Sequence, residues 1–160
     1  MLNSKQIKSK RIYNYIMAHK MIAFGLRPPI AAHLTGLPWR TTTELWFGIH
    51  GHPQAGGKLP ESIFRFMKNK VAAANISAFA AMHVRLFPNQ TRLGAEELLT
   101  TFTEYICIDP DFDINAAYRV AQDLCVGIVT MRKCPTCRAT YVSSGEHYNT
   151  KKCPFCRTRE

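Results

Sequence analysis

Cys134, Cys137, Cys153 and Cys156 stand in a C-x2-C-x15-C-x2-C pattern, the spacing of a closed four-thiolate zinc site. Each pair lies in a short knuckle, Cys134-Pro135-Thr136-Cys137 and Cys153-Pro154-Phe155-Cys156, where two intervening residues let both sulfurs turn toward one ion. The segment 131–160 is too short to bury a core of its own, whereas a structural zinc supplies about 10 to 16 kcal/mol of folding free energy. One zinc ion in a ribbon spanning 131–160, behind a helical domain spanning 1–130, is therefore the expectation. A redox C-x-x-C normally occurs once, at a strand-to-helix turn. A catalytic zinc needs an open coordination position, which four cysteines fill, and no H-x-E or H-E-x-x-H accompanies them. Enzymatic activity is accordingly not expected. Iron also accepts four thiolates, and His147, inside the ribbon, can at most replace a cysteine. Cys107 and Cys125 fall in mainly apolar helical segments without metal spacing and are expected as small core residues.

Of the 160 residues, 46% are hydrophobic, ample for a packed core. Reduced cysteines indicate a reducing cytoplasm. The uncharged run 71–84 covers 14 residues and contains Asn75, Ser77 and His83, short of a membrane span. Residues 1–24 are basic, but His19 and Lys20 interrupt their apolar stretch and no small-residue cleavage site follows, so neither secretion nor insertion is expected.

The formal net charge is +10. Four thiolates and one divalent ion together contribute −2, which leaves +8 in a zinc-bound form. The distribution is more telling than the total: residues 1–43 hold seven Lys or Arg and no acid, whereas 94–125 hold seven acids and only Arg119. Basic segments attract phosphate backbones through counterion release and acidic ones repel them. Nucleic acid is thus assigned to the ends of the chain and a protein partner to its centre, with Leu98 and Phe102 as apolar residues of the docking helices.

Ile12, Tyr15 or Ile16, His19, Ile22 or Ala23 and Leu26 recur at helical spacing and predict a first helix over 4–24. Pro28 and Pro29 begin a short second helix to Leu34. Thr35-Gly36-Leu37 makes a tight turn, and a third helix runs over 38–51. The breaker-rich loop 51–60 follows. Helical patterns then cover 61–86, 94–108 and 115–130, the last capped by Asp113.

Short helix, glycine turn and longer helix have the layout of a DNA-reading helix-turn-helix. Gly36 permits a left-handed turn, Ala32 is small where the helices approach, and Leu37 and Leu45 can pack inward. Arg40, Thr41 and Thr43 then lie near the exposed start of the second helix, where an arginine can grip a guanine and a threonine can bind phosphate. Lys8, Lys10 and Arg11 on the first helix, and Arg138, Lys151 and Lys152 on the ribbon, complete the candidate DNA contacts. Trp39 and Trp46, seven apart on one face, argue instead for core packing. His33, His50, His52 and His83 lack mutual ligand spacing and are expected as surface or satisfied core groups. Gly56-Gly57-Lys58 lacks the strand and spacing of a phosphate-binding loop.

Leu34-Thr35-Gly36-Leu37-Pro38, then Leu45-Trp46, then Gly51-x-Pro53-x-x-Gly56-Gly57-x-Leu59-Pro60-x-Ser62, followed by the two C-P-x-C knuckles, resemble the FlhC family, the zinc-containing subunit of the bacterial flagellar master activator. The likeness covers roughly Lys10 to Cys156. It implies a mainly helical fold, a zinc site at Cys134, Cys137, Cys153 and Cys156, and sequence-specific binding to duplex promoter DNA. It also implies a hetero-oligomer with a small helical FlhD-like protein, and activation through contact with RNA polymerase. Relatives of that family activate flagellar operons or conjugative-transfer operons. The competing expectation is a zinc-ribbon module that binds RNA or serves as an adaptor, without promoter specificity.

Overall fold

The computed structural model describes residues 4–145 and 150–156. His147 lies outside the described residues. Six α-helices and one two-stranded hairpin occur among them, the mainly helical architecture with a C-terminal four-cysteine cluster that the sequence predicts. The chain packs as two compact units, Met1–Lys58 with Gly94–Glu96 and Leu59–Leu93 with Glu97–Glu160. The ribbon expected over 131–160 is part of the second unit and not a separate body, because its hairpin lies against a helix of that unit.

In unit 1, α1 (Ser4–Ala23), α2 (Pro28–Thr35) and α3 (Trp39–His50) pack on one another. Pro28 and Pro29 open α2 where their missing N–H groups cost nothing. Gly36 ends it in the left-handed region at φ 69°, donating its N–H to Ala32 O, which a side chain at this position would strain. Leu37 and Leu45 are buried as expected. Asn14 on α1 donates to the Thr35 carbonyl at 2.7 Å, and His50 donates through Nε2 to the Ile22 carbonyl at 2.9 Å. The first satisfies a carbonyl at the end of α2 that helix geometry leaves without a partner, and the second adds a donor to a carbonyl that already accepts the Gly25 N–H.

The buried stripe of α1 is displaced from the predicted one. Met17, Ala18, Met21 and Ile22 line the core with Leu26, whereas Ile12, Tyr15 and Ile16 are exposed. Both sets recur at helical spacing, so periodicity alone does not choose between them. The tryptophans are also corrected. Trp39 is 66% exposed. Trp46 is half-buried against His50 and His52, with ring centroids 4.2 and 6.3 Å away, and its indole N–H has no hydrogen-bond partner among the described residues.

In unit 2, the helix predicted over 61–86 is broken. A single 3-10 turn at Ile63–Arg65 precedes α4 (Lys70–Leu86), because Asn69 adopts an extended conformation and its side chain accepts the Ala72 N–H at 2.9 Å. An asparagine that caps a helix competes with continuation of the helix before it. Next come α5 (Ala95–Tyr105) and α6 (Ile114–Cys125), the latter capped by Asp113, which accepts the Asn115 N–H at 2.8 Å. The helix expected to reach Thr130 stops at Cys125. Gly127, at φ 75°, turns the chain into β1 (Thr130–Lys133), which pairs antiparallel with β2 (Thr140–Ser143), Met131 opposite Val142 and Lys133 opposite Thr140.

Helix α4 organises this unit, packing on both β2 and α6. Its fully buried Ser77 accepts the Val142 N–H at 3.1 Å, giving a partner to a strand amide that water cannot reach. Leu98 and Phe102 are 0% and 2% exposed, so they belong to the core, and the docking role expected of them is withdrawn. Cys107 is exposed and Cys125 half-buried. Neither is the buried core cysteine expected.

Asp123 is fully buried. One carboxylate oxygen accepts the Ile63 N–H at 2.9 Å, and the other pairs with Arg119, whose Nε lies 2.8 Å away. The carboxylate thereby anchors the 3-10 turn to α6. Asp123→Ala strands a half-buried guanidinium and a buried amide and is expected to lower the unfolding free energy by about 3 kcal/mol, read from urea denaturation.

His83 is buried between Phe79 and Phe87, its ring nitrogens 2.8 Å from Thr101 Oγ1 and 2.8 Å from Gln90 Oε1. Burial lowers its pKa below the ordinary 6.5, against weaker upward effects of Gln90 and Glu97. The native ring resists a proton that the unfolded chain accepts near 6.5. Stability is therefore full above that pH and lost as pH falls below it. Urea midpoints between about pH 7.5 and about pH 5.5 should decline more steeply in the wild type than in His83→Gln.

Candidate metal centre

The hairpin that carries the first knuckle is closed at its tip by backbone bonds. Cys134 donates its N–H to Ala139 O at 2.9 Å, Arg138 donates its N–H to Cys134 O at 2.9 Å, and Arg138 takes a left-handed φ of 60°. The turn folds Cys137 back over Cys134. The second knuckle is brought alongside by Thr150, whose hydroxyl accepts the Ser144 N–H and donates to the Ser144 carbonyl, both at 3.0 Å. Those two bonds tether the returning chain to the end of β2, just before Cys153.

All four sulfurs lie within 4.8 Å of one another. Cys134 Sγ is 3.4 Å from Cys156 Sγ, and Cys137 Sγ is 3.6 Å from Cys153 Sγ. Metal–sulfur bonds of about 2.3 Å in a tetrahedron place sulfurs about 3.8 Å apart, whereas a disulfide requires about 2.05 Å. The cluster thus fits a four-coordinate ion and not a pair of disulfides. Cys134 and Cys153 are buried together with Tyr141, with Cys156 packed against them, while Cys137 faces solvent.

The electrostatics agree with the geometry. The backbone N–H of Ala139 lowers the pKa of the Cys137 thiol, but desolvation and the neighbouring thiols of Cys156, Cys153 and Cys134 raise it, to a net value of about 12. Four crowded thiols oppose one another's ionisation, and a divalent cation at their centre reverses that balance. The donor set can hold a metal ion such as zinc. All four ligand positions predicted from spacing come together.

The candidate nucleic-acid residues fall into two groups. Lys8, Lys10 and Arg11 lie exposed on α1, and Arg40 and Thr43 lie exposed on α3 with Thr41 half-buried, all in unit 1. Arg138 and Lys151 are exposed and Lys152 is half-buried, all in unit 2. Arg40 donates through Nε to Glu44 Oε1 at 2.9 Å, both side chains largely exposed, a pair of little energetic weight. Thr43 donates its hydroxyl to the Trp39 carbonyl at 3.0 Å. Sequence reasoning passed over Lys68 and Lys70, which border a groove beside Cys153. The signal was Lys68-Asn69-Lys70, basic residues flanking a cap residue, hidden by the assumption of one uninterrupted helix.

Fold and site define a mainly helical protein with a C-terminal four-cysteine cluster that can hold a metal ion. No helix among the described residues is long and apolar enough to cross a membrane. A comparison with known proteins finds no matching family model and no matching curated protein.

Purified protein should carry one metal ion per chain. Cys137→Ser and Cys153→Ser should each lose it, with a matching loss of amide-exchange protection in β1 and β2. A metal-free wild type whose hairpin stays equally protected in chelator would contradict this assignment.

Proposed function

We propose that the chain is a zinc-dependent, sequence-specific DNA-binding subunit of a bacterial transcriptional activator, similar to FlhC, which works with a small FlhD-like helical partner and is not an enzyme. It acts in the cytoplasm at flagellar or conjugative-transfer promoters, through contact with RNA polymerase. The observation that carries the reading is the α2–turn–α3 segment with its exposed Arg40 and Thr43, joined to a helix whose exposed face bears Lys8, Lys10 and Arg11. Arg40 engages Glu44 through Nε, leaving the terminal nitrogens of its fork for a guanine edge. The exposed Trp39 beside it offers apolar surface to a thymine methyl.

Support for zinc comes from the four-sulfur donor set, which soft borderline cations prefer and hard cations do not. Support for a helical partner comes from Ile12, Tyr13 and Ile16, exposed apolar residues along α1 of the kind that helix docking covers. A second reading, a zinc-ribbon RNA-binding module, draws on the exposed Phe155 of the second knuckle, close in sequence to Lys151 and Lys152, since aromatic side chains near cations stack single-stranded bases.

Binding of the partner-bound protein to duplex promoter DNA, with RNA as competitor, separates the two readings. Arg40→Ala should cost about 1 to 3 kcal/mol at the cognate site and relax sequence preference there. Lys8→Gln and Lys10→Gln should instead weaken all duplexes alike and reduce the salt dependence. If Arg40→Ala changed neither affinity nor preference while Arg138, Lys151 and Lys152 proved essential, the ribbon would be the DNA reader and α3 would not.

A further inference from the structure

A groove in unit 2 lies between the start of α4 and the second cysteine knuckle. It has a volume of about 400 Å³ and is lined by Met67, Lys68, Asn69, Lys70, Ala73, Lys152, Cys153 and Pro154. Three of these residues are lysines and none is acidic. Lys68 and Lys70 are exposed, and cationic side chains lining one small groove attract an anion. Met67, Ala73 and Pro154 supply an apolar wall that keeps the local dielectric below that of open solvent.

The backbone points the same way. α4 spans seventeen residues, and its first turn borders the groove. Asn69 accepts the Ala72 N–H with its side chain and the Ala73 N–H with its carbonyl, which leaves the Lys70 and Val71 amides for an acceptor from outside the helix. Amides, helix dipole and three lysines thus converge from different parts of the chain on one space. Lys152 enters that space because it immediately precedes Cys153, so the knuckle sets its position. A chain that loses its metal ion should release Lys152 and open the groove.

We propose that this groove is a phosphate site for the nucleic-acid backbone, held in shape by the metal centre beside it. It takes phosphodiester oxygens without reading bases, and it places the zinc end of the protein on the duplex while α3 reads sequence. The inference rests on the nucleic-acid reading above, and its test keeps the two apart.

The metal-loaded full chain, labelled with nitrogen-15, is titrated with a short DNA duplex and separately with pyrophosphate. Salt dependence of duplex binding is measured for the wild type, for Lys68→Gln/Lys70→Gln/Lys152→Gln, and for Lys8→Gln/Lys10→Gln. Duplex should shift the Lys70, Val71 and Lys152 amides. The triple variant should reduce the slope of log K against log salt by about 2.7, from about 0.9 per lost phosphate contact, with its fold and metal content intact. Chelation of the metal should lower the wild-type slope by about 0.9, the share of Lys152, and should not remove that share from the triple variant. A folded triple variant with the wild-type slope overturns the site, even where Lys8→Gln/Lys10→Gln weakens binding and upholds the nucleic-acid reading. Pyrophosphate shifting these amides when duplex does not would make the groove a free-phosphate site and overturn the backbone assignment.

Discussion

The four sulfurs at Cys134, Cys137, Cys153 and Cys156 are the constraint on which the C-terminal part of the chain depends. The hairpin has two strands of four residues each, and an isolated two-stranded ribbon is marginal in water. Two things hold it. Its inner face, Tyr141 and Val142, is buried, with Ser77 of α4 taking the Val142 amide. Its open end is closed by the sulfur cluster, which joins residues far apart in sequence at one point. Without a cation the thiols oppose one another's ionisation. With one, the same crowding becomes a clamp.

That clamp sits beside a basic groove. The second knuckle fixes Lys152 beside the first turn of α4, and α4 in turn supports β2 and α6. Asp123 extends the network by holding the 3-10 turn against α6. The cysteine cluster is thus embedded in a helical unit and not hung from it, so losing an ion held there should disturb the hairpin, the lysine groove and the α4 surface together. In unit 1 the burden is carried differently, by one long and two shorter helices, with the α2–α3 turn set by Gly36 and an exposed side rich in cations and aromatics.

Features written into local chemistry were legible in the sequence. The cysteine spacing named all four clustered cysteines, because knuckle geometry needs only a few adjacent residues. Pro28, Gly36 and Asp113 marked real helix boundaries, since each acts through its own backbone or side chain. What failed depended on tertiary contacts. Periodicity on α1 does not distinguish Ile12 and Ile16, exposed, from Met17 and Met21, buried, because the choice is made by where α2 and α3 pack. Leu98 and Phe102 looked like a docking face because acids surround them in sequence, yet both point into the core. The break before α4 was missed because a single cap, Asn69, outweighed a long helical pattern, and with it went the lysines on either side.

The central claim is that one ion bound by four thiolates shapes this end of the protein, and X-ray absorption at the edge of the bound metal in the full chain tests it most directly. Four sulfur scatterers at about 2.3 Å and no lighter ligand are predicted. A first shell containing nitrogen or oxygen, or fewer than four sulfurs, would contradict the account.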